Sequence, residues 1–463
     1  MRNLILILAL AILAACSSSD LPMQDLGAGP SGKREILPPM KFFGEQPVTP
    51  AQRANREISR DFMDLTFHTE KDSRIPVLTR FEGPISLRVT GHVPGTLDRD
   101  LTRLLNRLRK EARISISRVA PSQQANITIE IVPRVQFRSL STQAACFVVP
   151  QVGGWAEYKR KRRTSAVKWA NLRHREKLAI FIPGGISPQE MRDCLHEELA
   201  QALGPLNDLY RLPDSVYNDD NFHSVLTGFD MLILRAYYAP ELHNGMTEAQ
   251  VAARLPALLA RLNPAGQRRS AKPGFPDTPR LWIKQIQTAL SPGKYISRSA
   301  RRNAAASAVI LARQNGLYDM RLGFSLYAFG RLSLADDPNA ALAAFQEAVN
   351  IFRSQPQTEI AIAHIAWQQA TIALSDGDAL TTIDLVNANL PAAKRGQNAA
   401  LLATLLMLKA AALDMVQRPS EARAVRLDSL GWARYGFGSD KEVRRQLQDV
   451  SALALRAKNR GTP

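Results

Sequence analysis

No apolar run in this chain of 463 residues is long enough to cross a bilayer. The longest, Leu4–Ala15, has twelve residues, against the ~20 that a spanning helix needs, so a permanent transmembrane helix is the poorer reading of that run. Cysteine is nearly missing. Cys16, Cys146 and Cys194 are the three in the chain, an odd number that cannot all pair with one another. Acidic residues are in deficit, 42 against 60 Lys and Arg, for a formal net charge of +18. Such a field favours anionic neighbours. The length implies two to four domains, and 45 % hydrophobic residues suffice for buried cores.

What is present at the start explains two of those shortages. Arg2 supplies one cation, the apolar run follows, and Leu13-Ala14-Ala15-Cys16 closes it. A short charged segment followed by an apolar run of this length reads as a secretory signal. Its end resembles the lipobox of bacterial lipoproteins, which implies cleavage before Cys16 and lipidation of its thiol. An ordinary signal with a chance cysteine is the competing reading. Ser17 after the cysteine implies sorting to the outer membrane, facing the periplasm. Lipidation leaves Cys146 and Cys194 as a pair, a disulfide candidate in an oxidising compartment; two buried thiols are the alternative. Removing residues 1–15 takes away Arg2 and leaves +17 over 448 residues. The expected surroundings are the cell envelope, with lipid headgroups, lipopolysaccharide or acidic wall polymers as anionic partners and no nucleic acid.

Organisation follows from composition and periodicity. After the signal (1–15), residues 16–50 carry Ser, Gly and Pro without periodicity and read as a flexible tether. Residues 51–263 read as an α/β domain. Helices are expected at 52–65, at 96–112, where Leu97, Leu101, Leu104, Leu105 and Leu108 share a face, and at 247–262. Strands are expected at 84–89, 114–119, 126–132, 147–149 and 178–182. Ser187-Pro188 with Glu190 forms a capping-box start for a helix that should end at Gly204-Pro205. Lys159-Arg160-Lys161-Arg162-Arg163, continued by Lys168, Arg173, Arg175 and Lys177 and interleaved with Trp155, Tyr158 and Trp169, reads either as a solvated loop or hairpin or as a binding patch. From 281 to 455 only helical patterns occur. They pair as 322–334 with 340–352, 359–374 with 379–389, and 398–416 with 420–434, at intervals of 37 to 39. Ala341, Ala344 and Ala348 around Phe345 resemble a tetratricopeptide second helix, so an all-α hairpin-repeat domain is expected. A bundle without repeat geometry is the alternative.

The stretch from Cys194 to Asp208 carries the functional signal. His196-Glu197 begins like the zincin H-E-x-x-H, but Ala200 stands at the second histidine. Shifted by one residue, it resembles the metzincin pattern H-E-x-x-H-x-x-G-x-x-H. That resemblance puts Glu197, Gln201 and Asn207 at the three metal-ligand positions, Glu198 at the general base and Gly204 at the turn. Positions 197 and 201 leave a helix on one face, and a left-handed turn at Gly204 would return Asn207 to it. Ser215-Val216-Tyr217 lies where the metzincin Met-turn would be, with Tyr217 for Met, and Leu226–Tyr238 resembles the helix that follows. The same stretch, H-E-E-x-x-Q-x-x-G-x-x-N-D with a later L-T-x-x-D, is similar to a family of proteobacterial lipoproteins known only as a domain of unknown function. The implied fold is α+β, a metzincin-like domain followed by a tetratricopeptide-like one.

The ligand chemistry separates two functions. Zinc takes imidazole and thiolate readily, whereas Glu197, Gln201 and Asn207 offer oxygen, which suits a harder divalent cation or none. One reading is an envelope scaffold or accessory lipoprotein, not an enzyme, with an inactive metzincin-like domain and helical repeats that hold a protein partner. The other is a periplasmic metal-dependent, peptidase-like hydrolase in which Glu198 deprotonates a metal-bound water. A competing register would put His196 and His223 on one cation and make Glu197 the base.

Overall fold

The computed structural model describes residues 37–69, 73–140, 144–271 and 276–460. The expected signal and the lipidation position Cys16 lie outside them. The described residues form two units, 44–271 and 37–43 with 276–460.

In the first unit, α1 (Asn55–Phe67) precedes β1 (Ile85–Gly91), α2 (Leu97–Lys110), β2 (Ile116–Arg118) and β3 (Ile127–Val132). Then come α3 (Arg134–Leu140), β4 (Phe147–Pro150), α4 (Trp155–Lys161), β5 (Leu178–Pro183) and α5 (Pro188–Leu203). α6 (Gly228–Tyr237), α7 (Glu248–Leu262) and the short α8 (Pro264–Gln267) complete the unit. The five strands make one mixed sheet in the order β2-β1-β3-β5-β4. β1 runs parallel to β2 and β3, and β3 parallel to β5, while β4 is antiparallel at the edge.

Side-chain alternation divides the sheet faces. Leu87, Val89, Ile127, Ile129, Ile180 and Ile182 join the main core with the leucine stripe of α2 and with α1, α5, α6 and α7. On the opposite face Ala179 and Phe181 pack with Phe137 of α3 and Trp155 of α4. Thr128 and Glu130 of β3 pair in register with Ala179 and Phe181, and Arg88 of β1 pairs with Thr128, so all three point to that second face. Of the basic run, Lys159, Arg160 and Lys161 form the last turn of α4, where a loop or hairpin was one expectation, Arg162 and Arg163 turn out of it, and short 3-10 turns follow at Ser165–Val167 and Trp169–Asn171. Trp155 drives this: buried among Phe137, Phe147, Tyr158 and Phe181, it fixes the start of a helix whose cations face water.

The second unit is helical: α9 (Arg280–Leu290), α10 (Arg298–Gln314), α11 (Met320–Ser333), α12 (Pro338–Arg353), α13 (Glu359–Ser375), α14 (Ala379–Arg395), α15 (Ala399–Met415), α16 (Pro419–Gly436) and α17 (Asp440–Arg460). Consecutive helices pack as pairs, and α17 lies against α13 and α15. The pairs begin at 280, 320, 359 and 399, so α9 and α10 add a fourth hairpin to the three read from the sequence. Close approach rests on small residues. A Cβ on Gly323 or Gly330 of α11 would stand 2.5 Å from the rings of Phe352 and Phe345 of α12. The tether expected over 16–50 does not extend through 37–43, which dock on α16. Lys41 N–H donates to Gly431 O at 2.9 Å, Arg434 Nη1 to Pro38 O at 3.0 Å, and Phe43 stacks on Trp432 with centroids 4.5 Å apart.

Candidate functional site

α5 is held at both ends. Ser187 Oγ accepts from Glu190 N–H while the Glu190 carboxylate accepts from Ser187 N–H, the expected capping box. In its second turn Cys194 is bonded to Cys146, with Cα atoms 6.0 Å apart, tying the helix to the start of β4. At the other end Arg175 is buried and donates to the carbonyls of Gln201 and Ala202 at 2.7 Å and to that of Gly204. A cation is favoured there because the last carbonyls carry the negative end of the helix dipole. In sequence Arg175 belongs to the basic run; its neighbours Arg173 and Glu176 are exposed, but Arg175 is an internal cap. Gly204 also differs from expectation. Its φ is −149°, so no left-handed turn forms. A Cβ there would stand 3.1 Å from Leu234 Cδ2 of α6, so any larger residue must push that side chain aside.

The residues of the motif go to several partners. Glu197 is half-buried and Glu198 is buried, 4 % exposed. Gln201 Nε2 donates to Asp208 Oδ2 at 3.4 Å. Asn207 Nδ2 donates to Asp64 O of α1 at 3.0 Å, and the loop backbone adds Leu206 N–H and Asn207 N–H to Leu65 O. His196 Nδ1 accepts from Leu226 N–H at 3.1 Å, and His223 Nε2 meets Pro213 O, also at 3.1 Å. Because a backbone N–H can only donate, Nδ1 of His196 is the unprotonated nitrogen and Nε2 carries the hydrogen. Likewise His223 Nε2, facing a carbonyl, carries its hydrogen.

The turn at 214–217 is organised by Asp230, which sequence reading had quoted only as the last letter of L-T-x-x-D. Its carboxylate accepts from Ser215 Oγ, from Val216 N–H at 3.2 Å and from Thr227 N–H at 2.7 Å, closing a capping box for α6. Tyr217 is buried, and its hydroxyl has no hydrogen-bond partner among the described residues. Burial, with Asp230 and Asp208 nearby, pushes its phenol well above the ordinary range. Three further groups were missed. Burial raises the Tyr210 phenol, as do Asp219, which accepts its hydrogen bond, Asp208 and Asp220. The run Asn218-Asp219-Asp220 could have signalled this acidic corner beside Gln201. Burial also pushes the Asp220 carboxyl well up, although Asn218 Nδ2 and Phe222 N–H donate to it. Carboxylates and amide oxygens of this kind are hard donors. Among the described residues no group of three or more His, Cys, Asp or Glu side chains has the geometry to hold a metal.

His196 links this packing to pH. Burial first, then Arg192 and Arg107, lowers its pKa well below the usual imidazole value. The native state therefore refuses a proton that the unfolded chain accepts below about pH 6.5. Stability should fall as pH drops from there toward the folded pKa, by at most about 1.4 kcal/mol per pH unit. Urea unfolding at pH 8 and pH 5 should show this loss, and His196→Gln should flatten it. An unchanged slope in the variant would assign the loss to other groups.

Neither a curated protein nor a solved structure matches the chain. One family model does, and it spans the elements just described, from the first residue of α1 into α7. The chain thus carries, at residues 55–257, a domain described as a protein of unknown function, DUF2927, and a helical region follows it.

Proposed function

We propose that the chain is a lipid-anchored envelope protein that acts as a scaffold or accessory factor. Its 44–271 unit is a metzincin-like domain without zinc chemistry, and its helical unit is a tetratricopeptide-like array that holds a protein partner. The observation that carries this reading is the state of the imidazoles. His196 spends its Nδ1 lone pair on Leu226 N–H, and Nε2, which carries the hydrogen in that tautomer, has no lone pair to offer zinc. His223 donates Nε2–H to Pro213 O and keeps only Nδ1 for a cation, one imidazole where the competing register needs two. In the shifted register Gln201 and Asn207 use their amide N–H groups to fasten α5 and its loop to Asp208 and Asp64. Those are the contacts of a cross-braced turn. Four hairpins at intervals of 39 to 40 residues, longer than the tetratricopeptide 34, support an extended array suited to a protein partner.

A metal-dependent hydrolase is the second reading. Buried Glu198 at the general-base position, with the oxygens of Glu197, Gln201, Asn207 and Asp208 around the end of α5, favours it for a hard divalent cation. One preparation separates the readings. The full chain and Cys16→Ser are fractionated after a high-salt wash, and the wild type is then purified and dialysed against equimolar Zn²⁺ or Mn²⁺ at neutral pH. Wild type should sediment with membranes, the variant should be released, and bound metal should stay far below one per chain. Retention of the variant would sink the anchor. One Mn²⁺ per chain that is lost on Glu197→Gln but kept on Glu198→Gln would replace the scaffold with the hydrolase.

A further inference from the structure

The second face of the sheet, opposite α5, bears a cleft of about 480 Å³. That is within the size range of small-ligand sites. Its charged lining residues are Arg88 of β1, Glu130 of β3, Glu157 and Arg160 of α4, and Lys177 just before β5. The carboxylates are already committed. Glu130 accepts from Trp155 N–H at 2.8 Å. Glu157 accepts from Lys161 at 2.7 Å, Gly153 N–H at 2.7 Å and Lys177 at 3.1 Å. Burial alone would raise the Glu157 pKa, but those donors hold it at about 2, so it stays charged and paired at any ordinary pH.

The guanidinium groups are differently placed. Arg88 donates to Thr128 Oγ1 and to the carbonyls of Gln123 and Gly153, all neutral acceptors. Arg160 is exposed and, among the described residues, donates to Ala156 O of its own helix at 3.4 Å. Neither is ion-paired with a carboxylate among the described residues, and Lys159, Arg162, Arg163, Lys168 and Arg173 stand exposed on the surrounding segment. The cleft holds three cations against two carboxylates that are already bonded, a local positive excess, and guanidinium forks match oxyanions bidentately.

We infer that this cleft is a binding site for a phosphate group, held by the guanidinium groups of Arg88 and Arg160, with Lys177 beside them bridging to Glu157, on the sheet face away from α5. The phosphate arrives either free or as the headgroup of an anionic lipid. The cleft gives the basic run a defined pocket, and it stands whether or not the domain is an enzyme.

The test titrates the full chain with inorganic phosphate by calorimetry, and separately measures excess binding to phosphatidylglycerol vesicles over phosphatidylcholine ones. Three proteins are compared: wild type, Arg160→Gln with Lys177→Gln, and Lys159→Gln with Arg162→Gln and Arg163→Gln. Wild type should bind phosphate saturably. The cleft pair should weaken it roughly tenfold or more, the value of a lost charge-assisted contact, and the outer triple should leave it within about twofold. If the excess vesicle binding falls with the cleft pair, the lipid headgroup is the source; if only phosphate binding falls, the free ion is. Either result supports the site. Absence of saturable phosphate binding, or equal losses in both variants, overturns it in favour of diffuse surface attraction. Melting curves check folding, and Arg160→Gln alone, at an exposed position, serves if the pair destabilises the chain.

Discussion

Replacing Asp61 with asparagine should lower the stability of the 44–271 unit by about 3 kcal/mol, the lower end of the cost of breaking a buried ion pair. Asp61 is fully buried in α1. One carboxylate oxygen accepts from Arg53 Nη1, and the other from Arg211 Nε and Nη2 at 2.9 and 2.7 Å. Each arginine keeps a second partner, Asp214 at 3.0 Å for Arg53 and Asp64 for Arg211, which keeps the loss at that lower end. The network joins α1 to the loop after α5, so its loss should also loosen the Asn207 contact with Asp64 O. Hydrogen exchange on the full chain would localise the effect to 205–227 and α1. Burial opposes the Asp61 charge, but Arg53, Arg211 and Arg60 outweigh it and lower the pKa. A depressed carboxylate stabilises above its unfolded pKa, about 3.9, and loses that contribution as pH falls through the lower folded value. The gap between wild type and Asp61→Asn should therefore be constant from neutral pH to about pH 5 and close only in stronger acid. A cost below about 1 kcal/mol, the scale of a surface pair, would mean the network is dispensable.

The second large effect concerns the thiols. Cysteines 146 and 194 are 48 residues apart, and closing a loop of that length restricts the unfolded chain by about 4 kcal/mol on the chain-entropy account. Cys146→Ala with Cys194→Ala, or reduction of the wild type, should cost about 2–4 kcal/mol. The loss should centre on the edge of the sheet, where β4 has four residues and one neighbouring strand. Urea unfolding with and without reductant measures it. A reductant effect that persists in the double variant would assign the loss elsewhere.

Much of this architecture is legible in short stretches of sequence. Ile85, Leu87 and Val89 alternate because one sheet face is core, and the leucines of 97–108 repeat helically because α2 covers that face. Ser187, Pro188 and Glu190 announce α5 through local hydrogen bonds, and the Cys146–Cys194 pairing followed from Cys16 being set apart. α3 and α4 escaped because each has seven residues, too few for a period to register. α9 and α10 blended into a general helical pattern, although their spacing repeats that of the later pairs.

By itself the sequence determined the order of the strands and longer helices, the position of the motif helix and the absence of histidine from its shifted register. These depend on residues within a few turns of one another, where propensity and periodicity act. Tertiary structure alone decided what the polar residues do. Arg175 looks like one more cation in a basic run until burial brings it to the last carbonyls of α5. Asp61 looks like an ordinary helix acid until Arg211, 150 residues away, closes on it. His196 is one residue out of the shifted register, and only the fold shows that its Nδ1 accepts from Leu226 N–H, 30 residues on. The reason is the same in each case: a buried charge or lone pair must find a partner at hydrogen-bonding distance, and only the folded chain says which group stands there.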